Sequence, residues 1–235
     1  MKIKNYVLPA MIALFSASAV QAQTVDEIIY KHTEAIGGKE KISQVKSLYI
    51  ETTLEVMGNS TTEIESLLEA KGFKSETDFN GQKIISCYTD KGGWSVNPMM
   101  GAADPQAMPD GLYKSGKIQI YFDGVLTDYA YKGYKAELMG KEDGNFKIKL
   151  SNGDNEVFYF IDPTTYYVTK SMIKSEMMGQ PVDVSTTYSD YKKTDFGVVL
   201  PFAKNVDMGM FQLAQKVTKV EVNKEIDLKI FEMPK

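Results

Sequence analysis

The chain has 235 residues and a formal net charge of −4, with one histidine, one cysteine and no arginine. A net acidic chain repels phosphate backbones and anionic lipid surfaces, so nucleic acid is not expected as a partner. The single cysteine excludes an intramolecular disulfide, and the lack of arginine argues against a bidentate clamp for carboxylate or phosphate.

The first 22 residues have the pattern of a cleavable secretory signal peptide. Two lysines precede an uncharged apolar run at residues 6–20, and residues 20–22 suit a signal peptidase. The run is shorter than the roughly 20 residues that span a bilayer, although an uncleaved anchor is the alternative. We therefore expect an exported protein without a stable membrane span, folded as a single domain over residues 23–235, with a net charge of −6 after cleavage.

A helix is predicted directly after the cleavage site. Thr24 and Glu27 have the spacing of a capping box, and the apolar residues that follow recur on one helical stripe. Gly37 and Gly38 end this helix, and residues 39–44 are expected to add a short second helix.

From residue 47 onward the apolar period changes to two, which predicts antiparallel strands. Residues 62–71 fit either period, and their neighbours favour a strand. Asn80-Gly81 between two alternating segments is a strong hairpin signal. After the strand at residues 92–97, we predict a loop over residues 98–111 and a mainly helical segment over residues 111–129.

The second half is predicted to be a series of hairpins with little helix between them. Its turns are marked by Asp143-Gly144, Asn152-Gly153, Asp162-Pro163 and Gly179-Gln-Pro181. The strand at residues 156–161 is apolar on both faces, so each face needs a cover. We therefore predict a mainly β fold with some α, a curved antiparallel sheet with helices, and a cavity on its concave side.

Few residues have the pattern of a catalytic or metal site. His32 lies on the apolar stripe of the first helix, where a buried structural role is expected. Cys87 lies in a predicted strand and is expected in the core, and one histidine with one cysteine does not complete a zinc site. We expect no cofactor, no metal and no catalytic residue, although a paired-carboxylate hydrolase is left open by the many acidic residues.

Met99, Met100 and Met108 all lie in the predicted loop. Methionine is flexible and polarisable, and it recurs on surfaces that accept varied apolar partners. The alternative is that these side chains fill the core beneath the loop.

Three segments of the chain resemble the periplasmic outer-membrane lipoprotein-sorting proteins, a LolA-like superfamily of lipoprotein carriers. They are residues 26–48, the strand end Trp94-x-x-Asn97-Pro98, and residues 220–234 with Asn223, Ile226, Phe231 and Pro234. The first and last segments are most similar to the Bacteroidetes-type members of this family.

The resemblance implies an incomplete, or half, antiparallel β-barrel whose concave face is covered by helices and whose interior shelters acyl chains. The expected ligands are lipid acyl chains or lipoproteins, with transient envelope proteins as further partners. The chain departs from the family in having no arginine to hold the lid shut, so a lysine or a tyrosine would take that role. The alternative is a non-enzymatic envelope sensor or interaction module of the same fold whose own side chains fill the cavity.

On this basis we predict which residues contact the ligand. The mouth and lid are assigned to Trp94, Val96, Met99, Met100, Met108 and Leu112. The wall is assigned to Phe158 and Phe160 or to their opposite-face neighbours, because the sequence leaves the inward face of that strand open.

Overall fold

The structure is a computed structural model that describes residues 23–56, 58–177, 180–209 and 211–234. The predicted signal peptide and the turn at Gly179 lie outside these residues. Three α-helices are present in the described chain: α1 Val25–Ala35, α2 Lys39–Ser43 and α3 Asp110–Gly116. Short 3-10 helices occupy Pro98–Met100, Lys117–Ile120 and Leu228–Phe231.

The rest of the fold is one antiparallel sheet, curved and unclosed. Its thirteen strands are β1 Ser47–Val56, β2 Asn59–Leu68, β3 Gly72–Phe79, β4 Gln82–Thr89, β5 Gly93–Asn97, β6 Ala102–Ala107, β7 Lys135–Glu142, β8 Asn145–Asn152, β9 Asn155–Ile161, β10 Val168–Met177, β11 Gln180–Lys193, β12 Val199–Asp207 and β13 Gln212–Val222. The predicted mainly β class with a large antiparallel sheet is confirmed.

The strand order is β6-β5-β4-β3-β2-β1-β13-β12-β11-β10-β9-β8-β7. Two meanders, β1–β6 and β7–β13, are therefore joined by the pairing of β1 with β13. Strands β6 and β7 are the two edges, so the segment at residues 108–134 runs from one edge of the sheet to the other. Hydrogen bonds tie this segment to the β2–β3 turn, to β10 and to α1.

The local chemistry of α1 and of the hairpins agrees with the sequence. The Thr24 hydroxyl accepts a hydrogen bond from the Glu27 amide while the Glu27 carboxylate accepts one from the Thr24 amide. Asn80 and Gly81 have φ angles of 55° and 78°, and Asp143 and Gly144 have φ angles of 49° and 82°. Two consecutive positive φ angles are those of the tight turn that suits the twist of a hairpin.

Two predicted elements differ from the structure. The predicted loop at residues 98–111 contains a 3-10 helix and strand β6, which pairs with β5 at the sheet edge. This edge strand has no apolar alternation, and it tolerates Pro105 because an edge strand has unpaired positions. The predicted helix at residues 111–129 ends at residue 120, and Gly124 follows in the turn region with a φ of 65°.

Two apolar clusters pack between the sheet and the other elements. In the first, Ile28 and Ile29 of α1 and Val125 and Leu126 of the crossing segment pack with the side chains of β8 and β9. In the second, apolar residues of β1–β4 pack with Met108, Ile120 and Val198. The predicted burial of strand β9 on both faces agrees with Tyr159, Phe160 and Ile161, which are all buried.

Candidate functional site: a cavity with a polar belt

A cavity of about 440 Å³ lies between the sheet and residues 115–124 of the crossing segment. Strands β1, β2, β3 and β9–β13 all contribute side chains to it. Its volume falls within the roughly 300–1,000 Å³ that small-molecule sites occupy. The cavity is therefore large enough for a ligand.

Much of the lining is apolar. It includes Leu48, Ile50, Leu67, Phe73, Ile118, Phe122, Ile173, Val184, Leu200, Val217 and Val220. Ile118 and Phe122 belong to the crossing segment, and the others lie on strands, where every second side chain points to the same face of the sheet. Apolar walls of this kind remove an alkyl chain from water at a gain of about 0.8 kcal/mol per buried methylene.

A row of polar side chains crosses the same face, and we call Glu63, Glu65, Lys204 and Gln215 the polar belt. Glu63 and Glu65 are on β2, Lys204 is on β12, and Gln215 is opposite Lys204 on β13. The Lys204 ammonium lies 3.4 Å from a Glu65 carboxylate oxygen. The Gln215 amide donates a hydrogen bond to Glu63 across strand β1.

The belt changes the ionisation of its members. Burial, followed by the neighbouring charge of Glu65, raises the pKa of Glu63 to about 7. Burial alone would lower the pKa of Lys204, but the attraction of Glu65 and the nearby acidic groups outweighs it and raises the pKa. Lys204 is therefore a cation at neutral pH, while Glu63 titrates near neutrality.

Hydrogen bonds attach the crossing segment to β10 and to the β2–β3 turn, and an ion pair braces it internally. The Ser115 and Ser175 hydroxyls are 3.0 Å apart, and the Phe122 amide donates to the Glu69 carboxylate at 2.7 Å. Farther along, Lys132 lies 2.9 Å from the Asp123 carboxylate, with both side chains only 8% exposed. Lys132 also donates to a backbone carbonyl in the same segment.

His32 and Cys87 are both buried in the interior of the fold. His32 is buried at the cavity edge with its Nδ1 2.8 Å from the Tyr166 carbonyl oxygen, and burial lowers its pKa. Cys87 is fully buried, and burial raises the pKa of its thiol to about 12. The predicted burial of both residues is confirmed.

The structure places Trp94 and Val96 on the face of the sheet opposite the cavity. Trp94 is paired with Cys87, and Cys87 is paired with Lys74, whose neighbours Phe73 and Ser75 line the cavity from the other side. The Trp94 indole donates a 2.8 Å hydrogen bond to the Phe231 carbonyl oxygen.

The remaining predicted residues are spread over three environments. Met99 and Met100 are 58% and 56% exposed on the 3-10 helix after β5. Met108 and Leu112 pack in the second apolar cluster with Leu48, Leu67 and Phe73, which themselves line the cavity. None of the eight predicted residues is among those lining the cavity.

Strand β9 presents Tyr159 to the cavity, so Phe158 and Phe160 lie on the other face. There the Lys147 ammonium lies 5.3 Å and 5.4 Å from the centroids of their rings. The inward side of this strand, which the sequence left open, is therefore the Tyr159 side.

The polar belt was not predicted from the sequence. A usable signal was present, because Glu63 and Glu65 share the strand phase of Leu67, which is buried. Charged residues that alternate in step with buried apolar residues of a strand indicate a polar site on the buried face.

In the ranges that the structure describes, no cluster of three or more His, Cys, Asp or Glu side chains is placed to hold a metal ion. None of the helices described there is long and apolar enough to cross a membrane.

No protein-family model and no curated protein sequence matches the chain. Solved structures do match. A LolA superfamily protein from Nitrosomonas europaea aligns with a TM-score of 0.58 and 11% identity, over 90% of this chain and 98% of that one. A putative outer membrane lipoprotein-sorting protein domain from Vibrio parahaemolyticus aligns with a TM-score of 0.57 and 13% identity, over 88% and 97% of the two chains.

A DUF1329 family protein from Desulfovibrio piger is also similar, with a TM-score of 0.51 and 10% identity over 88% of this chain and 97% of that one. Identities this low establish a shared fold and nothing finer. The chain therefore has a fold of the LolA type, as the resemblance implied. The expected Bacteroidetes-type membership stays a prediction.

Proposed function

We propose that the protein is a non-enzymatic periplasmic carrier, exported by its signal peptide, that shelters acyl chains of a lipid or lipoprotein in the cavity. Sorting of lipoproteins toward the outer membrane is the transport role that we assign to it. The observation that carries the proposal is the cavity of about 440 Å³ between the sheet and the crossing segment.

The lining supports this function on energetic grounds. The cavity provides aliphatic and aromatic walls from eight strands, and an alkyl chain that packs against them removes its apolar surface from water. The fold supports it as well, because proteins described as LolA superfamily and lipoprotein-sorting members share it at full length.

In this proposal the crossing segment, with α3 and the 3-10 helix after it, is the helical cover of the concave face. It joins the two edges of the sheet and contributes no strand of its own between residues 108 and 134. Moving it therefore breaks side-chain and loop contacts but no strand pairing. The hydrogen bonds to Glu69 and Ser175 take the place of an arginine in holding the cover closed, and the buried Lys132–Asp123 pair braces the cover internally.

The alternative is a sensor or interaction module whose own side chains fill the interior. The open volume beneath the crossing segment favours the carrier, because a self-filled interior is close-packed.

Native mass spectrometry of the purified protein, with displacement of the neutral fluorescent probe N-phenyl-1-naphthylamine by a long-chain alcohol, tests the proposal. We expect co-purifying lipid and a displaceable probe. Val184→Trp on β11 places a large ring in the cavity and should abolish probe binding, whereas Asp183→Trp, exposed on the other face, should leave it unchanged. A protein that carries no lipid and binds no probe would contradict the carrier function.

A further inference from the structure

The polar belt is unusual for a cavity that holds only alkyl chains. Burying a charged group beside apolar walls is unfavourable unless a partner of opposite charge compensates it. Glu65 and Lys204 compensate each other at 3.4 Å, with side chains only 11% and 23% exposed. Glu63 has no such cation of its own within hydrogen-bonding distance among the described residues.

The acceptor capacity of Glu63 is only partly used. An ionised carboxylate accepts about four hydrogen bonds. In the described ranges, Gln215 supplies the one donor that lies within hydrogen-bonding distance of the Glu63 carboxylate. Both residues line the cavity, so the unused acceptor positions are open to a ligand that enters it.

The belt also has a defined place among the strands. Lys204 is opposite Tyr188 on β11, and Glu65 is opposite Ser75 on β3, so neutral hydroxyl groups extend it on both sides. Apolar lining residues flank it, including Ile50 and Leu67 on one side and Val184 and Val206 on the other. This arrangement, a polar row within an apolar cavity, matches an amphipathic molecule.

We propose that the polar belt binds the head group of the carried amphiphile and that it selects a protonated amine over a carboxylate. This inference rests on the proposed carrier function and names the chemical class of its ligand. An ammonium group donates three hydrogen bonds. It also supplies the cationic partner that Glu63 does not have within hydrogen-bonding distance among the described residues. It would be held by the Glu63 carboxylate, with Gln215 beside it.

An anionic head group fits this site poorly. The one lysine of the belt is already paired with Glu65, and two carboxylates face the same space. A carboxylate head would remain uncompensated in a low-dielectric interior, where unpaired ions are costly. The chain also has no arginine with which to bind it.

The test compares three amphiphiles of equal chain length, namely dodecylammonium, dodecanol and dodecanoate, as competitors of the neutral probe N-phenyl-1-naphthylamine. Measurements at pH 8.5 keep Glu63 ionised, since its pKa is about 7, and keep the alkylamine protonated. We expect dodecylammonium to compete at least about tenfold more strongly than dodecanoate, with dodecanol between them, which corresponds to about 1.4 kcal/mol.

Two variants move this preference in opposite directions. Glu63→Gln removes the free carboxylate and should bring the three competitors close together. Lys204→Met frees the Glu65 carboxylate and should increase the preference for the amine. A loss of folding would weaken all three competitors alike, so opposite shifts identify the belt. Glu137→Gln, exposed on β7, is the matched control and should change nothing.

Equal competition by the three amphiphiles, or a preference for dodecanoate, would overturn the amine selectivity and leave the carrier function intact, because the probe is still displaced. Failure of every amphiphile to compete, with no probe bound, would contradict both proposals. An amine preference that survives in Glu63→Gln would overturn the role of the belt.

Discussion

The two faces of the sheet are built in different ways. On the outer face, the carboxyl-terminal segment closes over Cys87, Trp94 and Val96, and Phe231 is buried among them. On the inner face, apolar walls formed by β1–β3 and β9–β13 leave about 440 Å³ open and contain the polar belt. The outer face, which is packed and hydrogen-bonded, contributes to the stability of the fold. The inner face retains space and unused hydrogen-bond acceptors, which are available for binding.

Phe231→Ala should have the largest effect on stability. It removes a ring that packs against Trp94 and lies so close to Gly72 that an added Cβ there would be 2.7 Å from it. Buried Phe→Ala changes cost about 3–5 kcal/mol, which urea unfolding would measure. Probe affinity of the folded protein should stay unchanged. Met233→Ala, at a position 49% exposed, is the control and should change stability by less than about 0.5 kcal/mol. Loss of probe affinity in folded Phe231→Ala would show that the two faces are coupled.

Glu63→Gln should have the next largest effect, and the effect should depend on pH. The folded pKa of about 7 lies above the ordinary value of 4.5, so the folded state holds this proton more tightly than the unfolded state. Its contribution to stability is full below about pH 4.5 and is lost as the pH rises through 7, by no more than about 3 kcal/mol.

The glutamine variant cannot ionise, so its free energy of unfolding should rise relative to the wild-type protein between pH 4.5 and 8. His32 gives the opposite trend, because its lowered pKa means that its contribution to stability is lost as the pH falls below 6.5. This contribution is the same in both proteins and cancels when their free energies of unfolding are subtracted. Chemical denaturation at several pH values measures this difference, with Glu137→Gln as the flat control. A difference that does not vary with pH would show that Glu63 is ionised at its ordinary pKa.

The double substitution Met99→Ser and Met100→Ser should have the smallest effect on stability, less than about 0.5 kcal/mol, because both side chains are more than half exposed. Thermal unfolding checks that value. Binding and displacement of the neutral probe N-phenyl-1-naphthylamine then test their predicted ligand contact. Weaker probe binding at unchanged stability would support that role, and unchanged binding would remove these two residues from the predicted site.

Prediction from the sequence was most successful where the signal is local. The capping box of α1, the hairpin turn at Asn80-Gly81 and the two-sided burial of β9 all follow from residues close together in the chain. Prediction failed for β6, because an edge strand has no buried face to impose an apolar period. It also overextended the helix beyond residue 120, where turns follow.

The cavity is lined by residues other than the eight named as ligand contacts, whose role stays a prediction. A concave apolar surface followed from strands that are apolar on both faces. Its actual lining depends on which face of each strand points inward, and a shift of one residue exchanges every side chain. For this reason Trp94 was placed at the mouth, although it lies on the outer face against Phe231.

By itself, the sequence of this protein determined the mainly β class, the positions of most turns and the start of the first helix, because these depend on neighbouring residues. Only the tertiary structure decided that β1 pairs with β13 and that the segment after β6 crosses from one sheet edge to the other. The same packing brought Glu63, Glu65, Lys204 and Gln215 into one cavity. Glu65 and Lys204 are separated by 139 positions in the chain, and only the pairing of distant strands determines such a contact.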